Sequence, residues 1–382
     1  MRRSIVLATA LAIVIGAAAP AAAQEDPVAA SPDGTKTAAT VDLKWKRVKL
    51  PKAGDFIWVH DIIPASSGFL AVGGGVRKSP RALARVWRSN NGRRWESVPL
   101  SGLARNGLPR AITQTPSGGF VMVGQGSCAI PCAVAWRSPD GVAWERLSET
   151  IPESVMYDVV AFDGRLIAVG CHTPGFHCLA GRVWASDDDG ASWQASGDVP
   201  GIMFHAVTAV DGQLVAGGDT DGFDTARGTA ATSPDGVTWA IQEPGGKLGW
   251  MRAAGDRGYR ALVGGGDHKP SGQKTAAKLM VSSDDGGFEV VRSDRFRKGF
   301  FIDVASHGDI VLLSGIYGAK RVTMPWSVWT SDMTTFKRVR FPKADEQRYG
   351  EAMAVALSRN GVRAVVGGRS GDKGAMWFSR VR

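Results

Sequence analysis

After residue 23 the 382-residue sequence contains no apolar run long enough to cross a bilayer, so no transmembrane segment is expected beyond that point. It also lacks any long stretch of 3.6-residue apolar periodicity there, which excludes a mainly helical fold. Nucleotide chemistry has no support: GGDHKPSGQKT at 265–275 has Gly-Gln-Lys where a phosphate loop needs Gly-Lys, and no helical pattern follows. DTDGFD at 219–224 alternates acids with glycine but lacks the later Glu of the 12-residue calcium loop, so Asp219, Asp221 and Asp224 form an incomplete ligand set. No Ser/His/Asp nucleophile elbow occurs, and neither a metal nor a cofactor is expected. Acid is the scarcer charge, with 36 Asp and Glu against 46 Lys and Arg.

Residues 1–23 carry Arg2 and Arg3, an apolar run and Ala21-Ala22-Ala23 before Gln24, the pattern of a secretory signal peptide. Residues 24–41, rich in Ala, Pro, Ser and Thr, read as a flexible leader, and 42–382 as the folded body. Cleavage would remove two arginines and leave 44 basic minus 36 acidic groups, a balance of +8. Outside the cytoplasm that balance favours an acidic protein surface or an anionic glycan or envelope polymer, rather than nucleic acid. Only four cysteines are present, an even number suited to an oxidising compartment. Cys128 with Cys132 and Cys171 with Cys178 are expected to form two local disulfides, the other reading being a zinc site with His172 and His177.

What the chain has in excess is glycine, 49 residues, and a repeat. The turns VWRSNNGRRW, AWRSPDGVAW, VWASDDDGASW, ATSPDGVTW, MVSSDDGGF and VWTSDMTTF are followed by the partial copy MWFSRVR. Their serines, Ser89, Ser138, Ser186, Ser233, Ser283, Ser331 and Ser379, are separated by 49, 48, 47, 50, 48 and 48 residues. Each unit also has an apolar run ending in Gly, such as FLAVGGG or GFVMVGQG, and a further run upstream, such as YDVVAFDG. Four short strands in about 48 residues make one propeller blade, and seven units predict an all-β, seven-bladed β-propeller. The last unit lacks its fourth strand, while LKWKRVKLPKAG at 43–54 looks like FKRVRFPKAD at 336–345. The N-terminal strand is therefore expected to complete the last blade and leave no open sheet edge. Ten of the thirteen Trp fall on two repeat columns, as expected of packing residues between blades.

SDDDGASW at 186–193 resembles the Asp box of the bacterial neuraminidase repeat, and the other copies resemble shortened or degraded boxes. The resemblance implies a sialidase-like propeller whose ligand site lies on the face opposite the boxes. The first inner strand, DFIWVHD at 55–61, has no Arg-Ile-Pro, and the count is seven blades where sialidases have six. Tyr349, Glu351, Arg110 and Arg252 could take sialidase roles only in the alternative of a glycoside hydrolase or lyase acting at the channel mouth. The build is more similar to the photosystem-assembly-factor propellers and other secreted binding propellers, which do no chemistry.

The strand starts supply a column of His60, Arg110, Tyr157, His205, Arg252 and Glu351, with Ile302 as the apolar member. These are expected to ring the channel mouth. Basic side chains gather in the loops of blades 5, 6, 7 and 1, Arg295, Arg297, Lys320 and Arg321 among them, against the acids of blade 4. The expectation is a monomeric, secreted or periplasmic, non-catalytic binding propeller with a basic docking face.

Overall fold

The computed structural model describes residues 41–51, 56–76, 82–175, 177–220, 227–242, 251–257, 260–266, 276–283, 286–319, 322–342 and 350–381. The segments read as signal peptide and leader lie outside these residues, except Val41. No described helix is long and apolar enough to cross a membrane, and among the described residues the helical content is two short 3₁₀ turns.

Seven antiparallel sheets follow one another along the chain; six are four-stranded, and five of those six are joined in simple sequence order. Their first strands are Ile57–Ala65, Leu108–Gln114, Ser154–Phe162, Met203–Val210, Met251–Arg257, Gly299–His307 and Gly350–Leu357, and these touch one another around a ring. They are the inner strands of a seven-bladed β-propeller. In blade 2 the outermost strand is broken into Glu145–Arg146 and Ile151–Pro152. In blade 7 the outermost position is taken by Lys46–Val48, paired as Lys46 with Phe378 and Val48 with Met376.

The second strand of each blade is a continuous apolar run because blades pack on both its faces. Phe120–Gln125 is buried at every position but the last, whereas the fourth strand Gln194–Val199 is exposed or half-buried throughout. Seven apolar clusters result, each bridging two neighbouring blades and the last joining blade 7 to blade 1. Trp87, Trp136, Trp184 and Trp377 on the third strands are wholly buried within them.

At one end of the ring the repeated turn is built from its own residues. Ser138 Oγ accepts the Gly141 N–H at 2.9 Å, and Asp140 Oδ1 accepts the N–H groups of Val142 and Ala143, both at 2.8 Å. The Trp144 indole donates to the Gly141 carbonyl at 3.0 Å. These bonds, the Ala143 N–H foremost, hold the Asp140 carboxyl below the usual carboxylate range. Gly141 sits at φ 75°, and a Cβ there would meet Leu70 of the preceding blade. Blade 6 corrects one assignment: the hydroxyl belongs to Thr330, one residue before Ser331, and Thr330 Oγ1 accepts the Met333 N–H at 3.0 Å. Threonine supplies the same oxygen as serine, so the turn in blade 6 starts one position earlier than its Ser-Asp pair suggests.

Candidate functional site

Each inner strand pairs with its neighbour through one β-bulge. A bulge leaves a residue unpaired and re-aims its side chain. The unpaired residues are His60, Arg110, Tyr157, His205, Arg252, Ile302 and Met353. Six of these belong to the column expected from the sequence, but Glu351 does not. It lies two residues earlier, where blade 1 has Trp58, because the connection from blade 6 to blade 7 is longer than the average repeat allows. The glycine ending each apolar run has its reason here. A Cβ on Gly73, Gly124, Gly170, Gly315 or Gly368 would run into the inner-strand carbonyl beside the bulge, that of Trp58, Leu108, Val155, Phe300 or Glu351.

His60 donates from Nδ1 to the Pro109 carbonyl of blade 2 at 2.7 Å, since a carbonyl can only accept. Burial, with the Arg110 cation beside it, pushes its pKa down to about 3, so the ring is neutral at physiological pH. Tyr157 and His205 face each other with ring centroids 5.5 Å apart, and His205 Nε2 meets Asp219 Oδ2 at 2.6 Å. Asp219 is thus buried against a histidine at the end of its strand. Asp221 and Asp224 lie outside the described residues, as do Tyr349, Lys320, Arg321 and the Arg252 side chain. Glu351 is held by Arg369 at 2.8 Å, and the Arg369 guanidinium lies 5.6 Å over the Trp58 ring.

The residue after the bulge is an aspartate in three of the blades. Asp61, Asp158 and Asp303 stand there in blades 1, 3 and 6. Asp61 accepts the Ile62 N–H at 2.6 Å and, from the next blade, the Ile112 N–H at 2.7 Å. Asp158 takes Val159 and Val207, each at 2.8 Å, and Asp303 takes Val304 at 2.8 Å and Val355 at 2.7 Å. Each carboxylate therefore staples two inner strands. Although partly open to the channel, these groups are surrounded by protein and deprived of bulk water. Burial pushes Asp61 up to about 6. Burial and the Asp61 charge together push Asp158 up to about 8 and Asp303 well above the carboxylate range. The signal was present as His-Asp-Ile, Tyr-Asp-Val and Ile-Asp-Val, but only three blades carry it.

Around this mouth the loops are locally fastened. Cys128 is bonded to Cys132 and Cys171 to Cys178, so no thiolate remains to hold zinc with His172 and His177. The pairs are compatible with an extracellular or periplasmic protein. His172 instead meets Asp198 at 2.8 Å, and Arg182 donates to the other Asp198 oxygen at 2.6 Å. No described group of three or more His, Cys, Asp or Glu could hold a metal. Arg295 and Arg297 are exposed on the loop between blades 5 and 6.

No family model matches the sequence, and no curated protein matches it. Solved structures do match in fold. The xyloglucanase of glycoside hydrolase family 74 from Xanthomonas campestris superposes with TM-score 0.57 and 16% identity over 89% of this chain and 54% of its own. The Trypanosoma rangeli sialidase, solved with the inhibitor DANA, superposes with TM-score 0.51 and 12% identity over 88% of this chain and 59% of its own. The chain thus spans only a little over half the length of these neighbours. The likeness shows a propeller fold shared with glycoside hydrolases, and fold alone assigns no activity.

Proposed function

We propose that this chain is an exported, monomeric, non-catalytic binding propeller whose repeated turns are degenerate Asp boxes. It engages an acidic protein surface or an anionic envelope polymer through the opposite, loop-bearing face. The observation that carries this reading is the engagement of the carboxylates at the inner strands. Asp61, Asp158 and Asp303 each give both oxygens to backbone N–H groups, Asp219 is bonded to His205, and Glu351 is bonded to Arg369. Glycoside hydrolysis needs two carboxyl groups presented to the substrate, one acid and one base or nucleophile. Here the same groups hold strands and neighbours together. The two disulfides fit export, and the exposed Arg295 and Arg297 fit an anionic partner.

Two measurements test the reading. Purified protein is expected to bind isolated envelope and heparin in a salt-sensitive manner, and no loss of retention between low and high salt would sink the electrostatic part. A screen of 4-methylumbelliferyl glycosides, sialic acid included, is expected to show no turnover; turnover abolished by Glu351→Gln would establish the glycosidase alternative instead.

A further inference from the structure

Between blades 5 and 6 the chain makes a short basic loop held unusually firmly. Ser293 caps a single 3₁₀ turn, Asp294–Phe296, by accepting the Arg295 N–H at 3.2 Å. Phe296 is buried edge-on against Phe301 and Phe336, with centroids 5.1 and 4.8 Å away. Arg297 forms an isolated bridge with Ala276. Arg338, on the outer strand of blade 6, reaches back over Tyr317 and Trp326, 4.9 and 5.8 Å from their ring centroids. From there its Nε donates to the Arg295 carbonyl at 2.7 Å and its Nη2 to the Arg297 carbonyl at 2.8 Å. One guanidinium therefore fastens two carbonyls of the same loop. Lysine could not do this, because it lacks the planar fork and stacks less well.

Beside the loop lies a cleft of about 370 Å³, within the size range of small-ligand sites. Its walls carry Lys278, Arg292 and Arg297 against the single acid Asp294. Ala277 and Val291 supply an apolar patch between them, and Ser293 a hydroxyl. Cations, a hydroxyl and a small apolar surface in one concavity suit a sugar carrying an acid group. A bare inorganic anion would leave the apolar wall unused, and a flat protein surface would not enter the cleft.

We infer that this cleft binds an acidic sugar unit of an anionic polysaccharide, and that Arg338 is the positioning residue that holds its basic loop in place. The inference rests on the polyanion-binding reading above and gives that surface a specific pocket. Full-length protein is tested by calorimetry against heparin, polygalacturonate and polyphosphate. Replacing Lys278, Arg292 and Arg297 together by Ala is expected to weaken polysaccharide binding roughly tenfold. Removing the same charge elsewhere, with Lys46, Arg88 and Arg137 changed to Ala, is expected to leave it within about twofold. Arg338→Lys keeps the net charge, yet is expected to weaken binding about threefold and to speed amide exchange at Arg295 and Arg297. If Arg338→Lys does not fold, the two triple variants decide the matter, since five of the six replaced side chains are exposed and the sixth, Lys278, is half-buried. Equal losses from both triple variants would overturn the cleft, as would wild-type affinity in Arg338→Lys, or polyphosphate binding as tightly as the polysaccharides. Failure of wild-type protein to bind any of the three polymers would overturn the underlying reading as well.

Discussion

The two ends of the ring are made by the same strands and differ in how neighbouring blades are joined. At the turn end one device recurs: Gly92, Gly141, Gly190 and Gly236, all at positive φ, each back onto an apolar side chain of the preceding blade. At the loop end the junctions are held by three different devices. Aspartate staples join blades 1 and 2, 3 and 4, and 6 and 7. Arg338 braces the junction of blades 5 and 6, and Arg369 spans from Glu351 to Trp58 between blades 7 and 1. Repetition at one end lets the other vary without loss of the ring, and variation is what a binding surface needs.

The largest effect is expected at the turn end. Gly141→Val forces a β-branched residue to φ 75° and drives its side chain into Leu70. A loss of about 3–4 kcal/mol is expected in guanidinium unfolding. Polyanion binding on the opposite face should be unchanged in the fraction that folds. At the loop end Gly175 also has positive φ but open space around its Cβ position, so Gly175→Ala should cost about 1 kcal/mol.

Next in size is the loss of one staple. Asp158→Ala leaves the Val159 and Val207 N–H groups without their acceptor, a cost of about 2–3 kcal/mol at pH 5. The folded carboxyl titrates at about 8 against 3.8 for its ordinary value. Between those values the unfolded chain releases its proton while the folded protein keeps it. The contribution of Asp158 to stability therefore falls as pH rises from about 4 to about 8 and is level above that. The gap between wild type and Asp158→Ala should accordingly be smaller at pH 8.5 than at pH 5. An equal gap at both would show that the carboxyl is not raised.

The disulfides are expected to contribute less than a staple but more than the Gly175 position. Their loops are short, with separations of 4 and 7 residues, and reduction should remove about 2 kcal/mol for each. Thermal unfolding with and without reductant measures this. A sugar-binding cleft in blade 5 should keep its affinity under reduction, because both bonds lie in blades 2 and 3. Parallel loss of affinity would mean that the loop end behaves as one cooperative unit and not as independent junctions.

Much of the fold was legible because a blade is a local object. Its strands, its tight turns and its apolar column all lie within about 48 residues, so the same signals return seven times and reinforce one another. The apolar runs ending in glycine pointed to strands, and these are the second strands, buried almost throughout. The channel column was readable in six of its members by the same logic. It failed at Glu351, where a longer connection shifted the register, and at Ser331, where Thr330 stood in for serine. The glycine opposite each bulge is a better marker of the column than distance along the chain, since it answers to a steric contact.

The aspartate staples and the Arg338 brace were out of reach for a different reason. Each joins two blades, and nothing in the amino-acid pattern of either blade says which backbone groups the other presents. Asp61 could have been read as a catalytic acid, and Arg338 as one more surface charge beside Lys337 and Arg340. The amino-acid order alone settled the repeat and the blade count, because those depend on neighbours a few residues apart. Closing the ring decided the rest: it brought Asp158 to Val207, Arg369 to Trp58 and Arg338 to the carbonyls of Arg295 and Arg297, contacts that exist only when separate blades are set side by side.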